Sequence, residues 1–336
     1  MKTAMKTAIK IICILLVIAM ILLTILVINP EYRFRKNRDS LAVEAFAYTD
    51  TAKDRIHFLN TGSSDAILLE SDGKFAMIDA GEDNDNPRGF ESLDLEGYED
   101  RVLEYIKKVA ADENGKVTLD FVLGTHSHSD HIGGFDTIIS DDDITVNRAY
   151  LKQYDSSKID THEVERWDNQ EVYDQMVDAL NAKNAPIISQ VDETPFELGN
   201  FTITVFNGDD PETEAKVGEN DNSFGVLVEK NGTKVFLSGD IDNKTGDEER
   251  LGEKIGKVNL LKVGHHSYTQ STSSEWVKAL MPDTCVVTNK YSLVNKTTLY
   301  RIERIAGSTV LITGQENGVV AEIGDNGSIT YYNDIH

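Results

Sequence analysis

The sequence predicts an α/β sandwich with its functional loops gathered at one edge, preceded by a single membrane-spanning helix. Three observations carry this expectation. Short apolar strands alternate with amphipathic helices in a strand-then-helix series that occurs twice. Residues of metal-ligand type follow the ends of three separate buried strands. An apolar run near the N-terminus matches the thickness of a bilayer's hydrocarbon core.

Ile11 to Ile28 is apolar at every position but Thr24, eighteen residues in all. As a helix these residues span about 27 Å. A cleavable signal would have a shorter apolar stretch and a small-residue site close behind it. Here Asn29-Pro30-Glu31 follows, and the nearest Ala-x-Ala pattern is the distant Ala45-Phe46-Ala47. A buried core helix would show a polar face, and this run has none. The expected division is a short tail over 1–10, an uncleaved anchor over 11–28, a stalk over 29–52 and one large folded domain over 53–336. Lys2, Lys6 and Lys10 precede the span and Arg33, Arg35, Lys36 and Arg38 follow it, so the positive-inside count is nearly balanced. A single N-terminal anchor with lysines in front is expected to leave the body outside the cytoplasm.

From Arg55 the pattern changes. Ile56–Leu59, Ala66–Leu69 and Phe75–Asp79 read as consecutive strands separated by turns at Gly62 and Gly73. A helix is expected near 98–110, with Val102, Tyr105, Ile106 and Val109 on one stripe. Leu119–Leu123 reads as a buried strand leading into Thr125-His126. Gln170–Ala182 is helical by its Val172, Met176, Leu180 spacing, and Phe201–Phe206 is a strand. Phe224–Glu229 and Lys234–Leu237 form a hairpin closed by Asn231-Gly232. Strands at Val258–Val263 and Cys285–Val287 follow, then a helix at 297–305 and closing strands near 309–313, 318–323 and 328–332.

Composition narrows the partners. The formal charge is −24. Beyond the first 38 residues the chain holds 26 basic and 56 acidic residues, a charge of −30. Such a body repels polyphosphate at long range, which counts against a general nucleic-acid binder. Nothing implies a protein partner. Cys13 and Cys285 lie in different apolar segments, cannot pair, and are expected to be buried apolar side chains.

The segment Thr125-His126-Ser127-His128-Ser129-Asp130-His131-Ile132-Gly133-Gly134 carries the chemistry. It places three histidines and an aspartate within six residues, directly after a buried strand. Histidines two apart on an extended turn point the same way, so His126 and His128 can grip one ion. Asp130 and His131 then face a second. Imidazole and carboxylate donors suit two divalent ions, zinc first, with Mn2+ or Fe2+ also acceptable. Gly133-Gly134 is expected to let the backbone turn tightly beneath the site. A second cluster, Ser238-Gly239-Asp240-Ile241-Asp242, ends the hairpin with a carboxylate placed to bridge two cations, while Asp242 reads as a surface residue. A third, Leu261-Lys262-Val263-Gly264-His265-His266, puts two histidines at a strand end. Either can be the ligand: His266 is the favoured ligand and His265 the residue facing substrate. Only eight histidines occur in the chain, so three such clusters are not incidental.

His-x-His-x-Asp-His, followed by Ser-Gly-Asp240 and His265-His266, resembles the metallo-β-lactamase superfamily, and Ile78-Asp79-Ala80-Gly81 looks like its earlier aspartate motif. The resemblance covers about residues 55–332. It implies an αββα sandwich, with Asp79 supporting the histidine loop and Asp240 bridging the metals. The family's usual third histidine for the first metal is missing. The segment there reads Glu219-Asn220-Asp221-Asn222-Ser223, which leaves His126, His128 and Asp240 with an asparagine oxygen, Asn222 being assigned to that surrounding shell. This departure argues against a true β-lactamase.

Two cations sharing a carboxylate activate water and stabilise an attacked phosphoryl or acyl group. Asp130 is expected to orient the nucleophile and His265 to serve the leaving group. Within the superfamily the stretches Ala66–Lys74, Ile78–Asp83, Trp167–Tyr173 and Ile255–Lys262 look like the phosphorylcholine esterase branch, which acts on teichoic acids. That likeness implies a membrane-tethered hydrolase of small or teichoic-acid-like phosphoesters, with Trp167, Tyr154 and Tyr173 as an aromatic cage for a quaternary ammonium. The asparagine-for-histidine segment and the Leu-Lys-Val-Gly-His-His run are also similar to the extracytoplasmic domain of the competence channel, which implies a nuclease. A metal-binding sensor without catalysis is the third reading.

Overall fold

The computed structural model describes residues 2–48, 53–83, 96–208 and 218–335. Two sheets face each other. The first runs Val43–Ala45, Ile329–Asn333, Val319–Ile323, Asp54–Phe58, Ala66–Ser71, Lys74–Ala80, Val117–Leu123, Ala149–Tyr150 and Ile187–Ile188, with Ile144–Val146 also paired to Val117–Leu123. The second runs Thr309–Ile312, Thr284–Val287, Leu260–Lys262, Thr233–Leu237, Gly225–Lys230, Phe201–Phe206 and Phe196–Leu198.

Successive side chains of a strand point to opposite faces, and here both faces are buried. Ile56, Phe58, Ile67, Leu69 and Phe121 pack inward against Ile203, Val226, Val235 and Leu260 of the second sheet. Leu68, Met77 and Val122 point outward, under helices Glu99–Ala110, Phe135–Ser140 and Asn169–Ala182. The outer face of the second sheet is covered by Asp247–Ile255, Ser274–Leu280 and Lys296–Ala306 through Leu251, Trp276 and Ile302. The layers are therefore helix, sheet, sheet, helix, as expected.

Parallel pairing sets where the site forms. Lys74–Ala80 runs parallel to Val117–Leu123, and Thr233–Leu237, Leu260–Lys262, Thr284–Val287 and Thr309–Ile312 are mutually parallel. Parallel neighbours bring their C-terminal ends to one edge, where the aspartate and histidine loops emerge.

The segment expected to be a stalk packs on the body. Pro30–Ser40 is a helix, capped by Asn29 accepting the Glu31 N–H, with Phe34 buried among the outer residues of the second layer. Arg38 forks onto Glu316, Glu31 accepts hydroxyls from Tyr291 and Tyr300, and Val43–Ala45 pairs parallel with Ile329–Asn333. Its polar run showed no periodicity because one aromatic and distant ion pairs do the docking.

The expected anchor lies in the helix Lys2–Ile28. Ile11, Ile14, Leu15, Leu16, Ile18 and Leu22 are exposed on it, as is Cys13, which was expected to be buried; Cys285 is buried. Among the described residues, no helix is long and apolar enough to cross a membrane.

Candidate metal centre

The histidine loop is hung from Asp79. This residue sits at φ +54°, and its carboxylate accepts the Thr125 N–H at 2.7 Å, the Thr125 hydroxyl at 2.8 Å and His131 Nδ1 at 2.7 Å. Gly133 and Gly134 are needed for space rather than for turning. Both have right-handed backbone angles, and a Cβ would meet Ser129 O at 2.5 Å or Ala80 O at 2.7 Å.

Asp130, His131, Asp240 and His266 bring one donor atom each within 4.8 Å of one another. His131 Nε2 lies 3.2 Å from Asp240 Oδ1 and 3.1 Å from His266 Nε2, and His266 Nε2 lies 3.3 Å from Asp130 Oδ2. A second pair of nitrogens, His126 Nε2 and His128 Nδ1, faces at 3.0 Å. Buried Asp240 Oδ1 makes ionic contacts with His131, His266 and Lys262 but accepts no hydrogen bond. Converging imidazole and carboxylate donors around such a buried oxygen fit a divalent cation.

The histidines' other nitrogens are held in turn. His128 Nε2 is 2.9 Å from Glu163 Oε1, which also accepts from Asn169 and from the Glu219 N–H. The Trp167 ring stacks on His128 at 5.2 Å. His126 Nδ1 rests against Ser223 Oγ at 3.2 Å. His266 Nδ1 is 3.2 Å from Thr288 O. Such outer contacts fix ring orientation.

The pair His265-His266 divides its duties. His265, His266 and Ser267 all have left-handed backbone angles, φ +49°, +47° and +68°. Three such residues in succession are strained. The strain turns His266 fully inward to the cluster, while the His265 side chain stays 28 % exposed, 3.9 Å from Asp240 Oδ2.

Charge follows the geometry. Burial opposes ionisation of Asp240, but His131, His266 and His265 outweigh it and hold the carboxyl well below the usual range. Burial also opposes protonation of His266, but Asp240 and Asp65 raise it to about 9. His126 is pushed well below the ordinary imidazole value by burial, then by His131 and His128.

A cleft of about 750 Å³ opens over this cluster, with Ser63, Trp167, Asn220, His265, Tyr268 and Leu293 among its lining. Of the three aromatic residues expected to line it, only Trp167 does. Tyr154 is buried and pairs with Tyr173 at 6.2 Å, behind the wall, where burial raises the Tyr154 phenol to about 12. Asn222 turns away and donates to Glu219. Asn220 faces the cleft instead, with its Oδ1 buried and unpartnered. Asp242 is buried, not a surface residue.

Sequence reasoning missed Asp65, Glu163, Tyr268 and Lys262. Lys262 did carry a signal: a lysine inside the apolar run Leu260-Leu261-Lys262-Val263 requires a buried partner. Asp65 and Glu163 carried none, because their partners are remote in sequence.

Residues 59–287 match the family model described as the Metallo-beta-lactamase superfamily. ComE operon protein 3 of Bacillus subtilis (strain 168) is 22% identical over 210 residues, an alignment covering 60% of this chain and 24% of that protein. Recombination protein 2 of Haemophilus influenzae (strain ATCC 51907 / DSM 11121 / KW20 / Rd) is 23% identical over 235 residues, covering 70% and 24%. The chain thus spans about a quarter of the length of the curated relatives it matches. The solved metallo-beta-lactamase fold protein YhfI from Bacillus subtilis is 14% identical, with TM-score 0.48, covering 80% of this chain and 99% of that one.

Proposed function

The chain belongs to the metallo-β-lactamase superfamily, and on that premise we propose that it is a two-metal hydrolase of small phosphoesters, held at a membrane by its N-terminal helix. The convergence of Asp130, His131, Asp240 and His266 beside the His126–His128 pair carries this reading. Asp130, His131, Asp240 and His266 would hold one ion, and His126 and His128 the other, with Asp240 reaching both. Zinc suits this donor set. Bound there, the ions would supply Lewis acidity and an activated water.

The protein's own groups do the rest. Asp130 stands at the floor of the cleft, where its second oxygen can orient the attacking water. His265 stands on the wall, where it can donate a hydrogen bond to the leaving oxygen. Asn220, whose Nδ2 lies 3.4 Å from His265 Nε2, offers its unpartnered Oδ1 to the same cleft. The exposed apolar side chains between Ile9 and Leu23 support attachment to a membrane surface.

A competence-type nuclease is the second reading, favoured by the two competence relatives. The cleft weighs against it. Apart from the ligands Asp130 and Asp240, its described lining includes Glu82, Asp160, Glu163 and Asp221 against a single lysine, Lys244, and no arginine. An acid-rimmed cleft repels a polyanion and tolerates a small ester. The choline-specific form of the reading loses support, since Tyr154 and Tyr173 lie outside the cleft.

Metal analysis of the purified chain with a substrate panel tests the proposal. Two metal equivalents, with hydrolysis of bis(p-nitrophenyl) phosphate or p-nitrophenyl phosphocholine abolished by His128→Ala, are expected. Degradation of DNA with both small esters left intact would favour the nuclease. No metal uptake would sink both readings.

A further inference from the structure

Each ligand in the Asp130, His131, Asp240 and His266 group leads back to one buried ion pair outside the ligand set. We propose that Asp65 and Lys262 are the positioning unit of this metal position: Lys262 holds the carboxylate of Asp240, and Asp65 holds Lys262 and the rear of both histidines. The inference rests on the two-metal reading above.

Lys262 is fully buried at the end of a second-sheet strand, and Asp65, 1 % exposed, precedes the first-sheet strand Ala66–Ser71. An ammonium group has three protons to place. Lys262 Nζ lies 2.9 Å from Gly239 O and 3.6 Å from Asp240 Oδ1, and forms a close ion pair with Asp65 Oδ2. All its reach is spent on the loop carrying Asp240 and on Asp65.

Asp65 touches the remaining ligands. Its backbone N–H donates to Asp130 O at 3.0 Å. Its Oδ1 accepts the Thr288 hydroxyl at 2.5 Å and lies 3.4 Å from His266 Nδ1. Its Oδ2 lies 3.8 Å from His131 Nδ1, the nitrogen that Asp79 already holds. The carboxylate thus faces the non-ligating nitrogen of both histidines.

Two of the four ligands come from the first sheet and two from the second. Their spacing depends on how the sheets are fastened at this edge, and Asp65–Lys262 is a direct polar contact between the two. A buried ammonium persists only where its partners offset its desolvation, and an apolar residue of similar length would be the cheaper choice for packing alone. The lysine is explained by what it holds.

The test uses the full chain with Lys262→Met, Lys262→Arg, Asp65→Asn and the Asp65→Asn/Lys262→Met double variant, titrated with Zn2+ and with Co2+. Circular dichroism reports the fold and Co2+ visible absorption reports the ligand geometry. Folded Lys262→Met and Asp65→Asn are expected to bind metal at the tighter position about 10–100-fold more weakly, with an altered Co2+ spectrum. The double variant should lose no more than either single, because both act through one unit. Lys262→Arg, which keeps the charge, should recover part of the affinity.

A folded Lys262→Met with the wild-type affinity and Co2+ spectrum would overturn the inference. Should that variant not fold, the double variant removes both charges together and carries the same readout. A wild-type chain that takes up no metal would overturn the two-metal reading itself, and this inference with it.

Discussion

Asp79, Asp65, Lys262 and Thr288 hold Asp130, His131, Asp240 and His266 from behind, while Asp130 and Asp240 also line the cleft. His126 and His128 share the same loop but meet a different environment. Glu163 and the part-exposed Trp167 on the cleft wall hold His128, and Asn220 stands on the same wall. On the two-metal reading, the first position would be held by a buried polar network between the sheets, and the second by Glu163 and Trp167 at the cleft wall. A shared motif therefore does not make two equal sites. The outer partners set how firmly each donor is aimed, and they differ on the two sides.

On the two-metal reading, removing the carboxylate proposed to serve both positions should do the most damage. Asp240→Asn is expected to cost on the order of a thousandfold in phosphodiester turnover and to lower the metal content at both positions. Loss of one equivalent alone would show that the carboxylate does not join them. Next, His266→Ala and His128→Ala separate the sides. After dialysis against weak chelator, His128→Ala should retain one equivalent and His266→Ala less than one. Equal retention would erase the asymmetry.

Glu163→Gln leaves both histidines in place but weakens the hold on His128. Metal affinity at the His126–His128 position should fall about 10–100-fold while the Asp130–His131–Asp240–His266 position keeps its own. Conversely, Asn220→His offers the absent imidazole from the cleft wall. About tenfold tighter binding at the His126–His128 position is expected by competition titration; no gain would mean that residue 220 is wrongly aimed.

The smallest effect lies away from both positions. His57 is buried between Tyr105 and Glu70, and burial lowers its pKa below the ordinary 6.5, with Glu70 pulling the other way. The unfolded chain therefore protonates this residue at higher pH than the folded one. Its contribution to stability is complete above pH 6.5 and is lost as pH falls below it. The loss is at most about 1.4 kcal/mol per pH unit. Melting temperatures of wild type and His57→Gln between pH 7 and 5 should converge on acidification, whereas a constant gap would refute this.

Much of the layered fold could be read directly, because strands buried on both faces appear as continuous apolar runs and helices keep their periodic stripes. The shortest strands, Ala149–Tyr150 and Ile187–Ile188, were not legible: two residues cannot display a period. Helices Asp247–Ile255 and Ser274–Leu280 went unread for a related reason, since each offers only about two turns of pattern. In the site, His126 to His131 was legible because loop geometry makes near neighbours converge. Tyr154 and Tyr173 misled because an aromatic residue looks the same in a cleft wall as behind one.

By itself the sequence determined the layer order, the strand ends that carry ligands, and the aspartate, histidine and glycine residues of the metal loop. These depend on neighbouring residues and on side-chain chemistry. Only the tertiary structure decided that His266 turns inward and His265 outward, that Asn220 faces the cleft, and that Pro30–Ser40 packs on the body. It alone brought Asp65 to Lys262. Each of these depends on where strands distant in sequence end against one another, and buried polar groups find their partners across that distance.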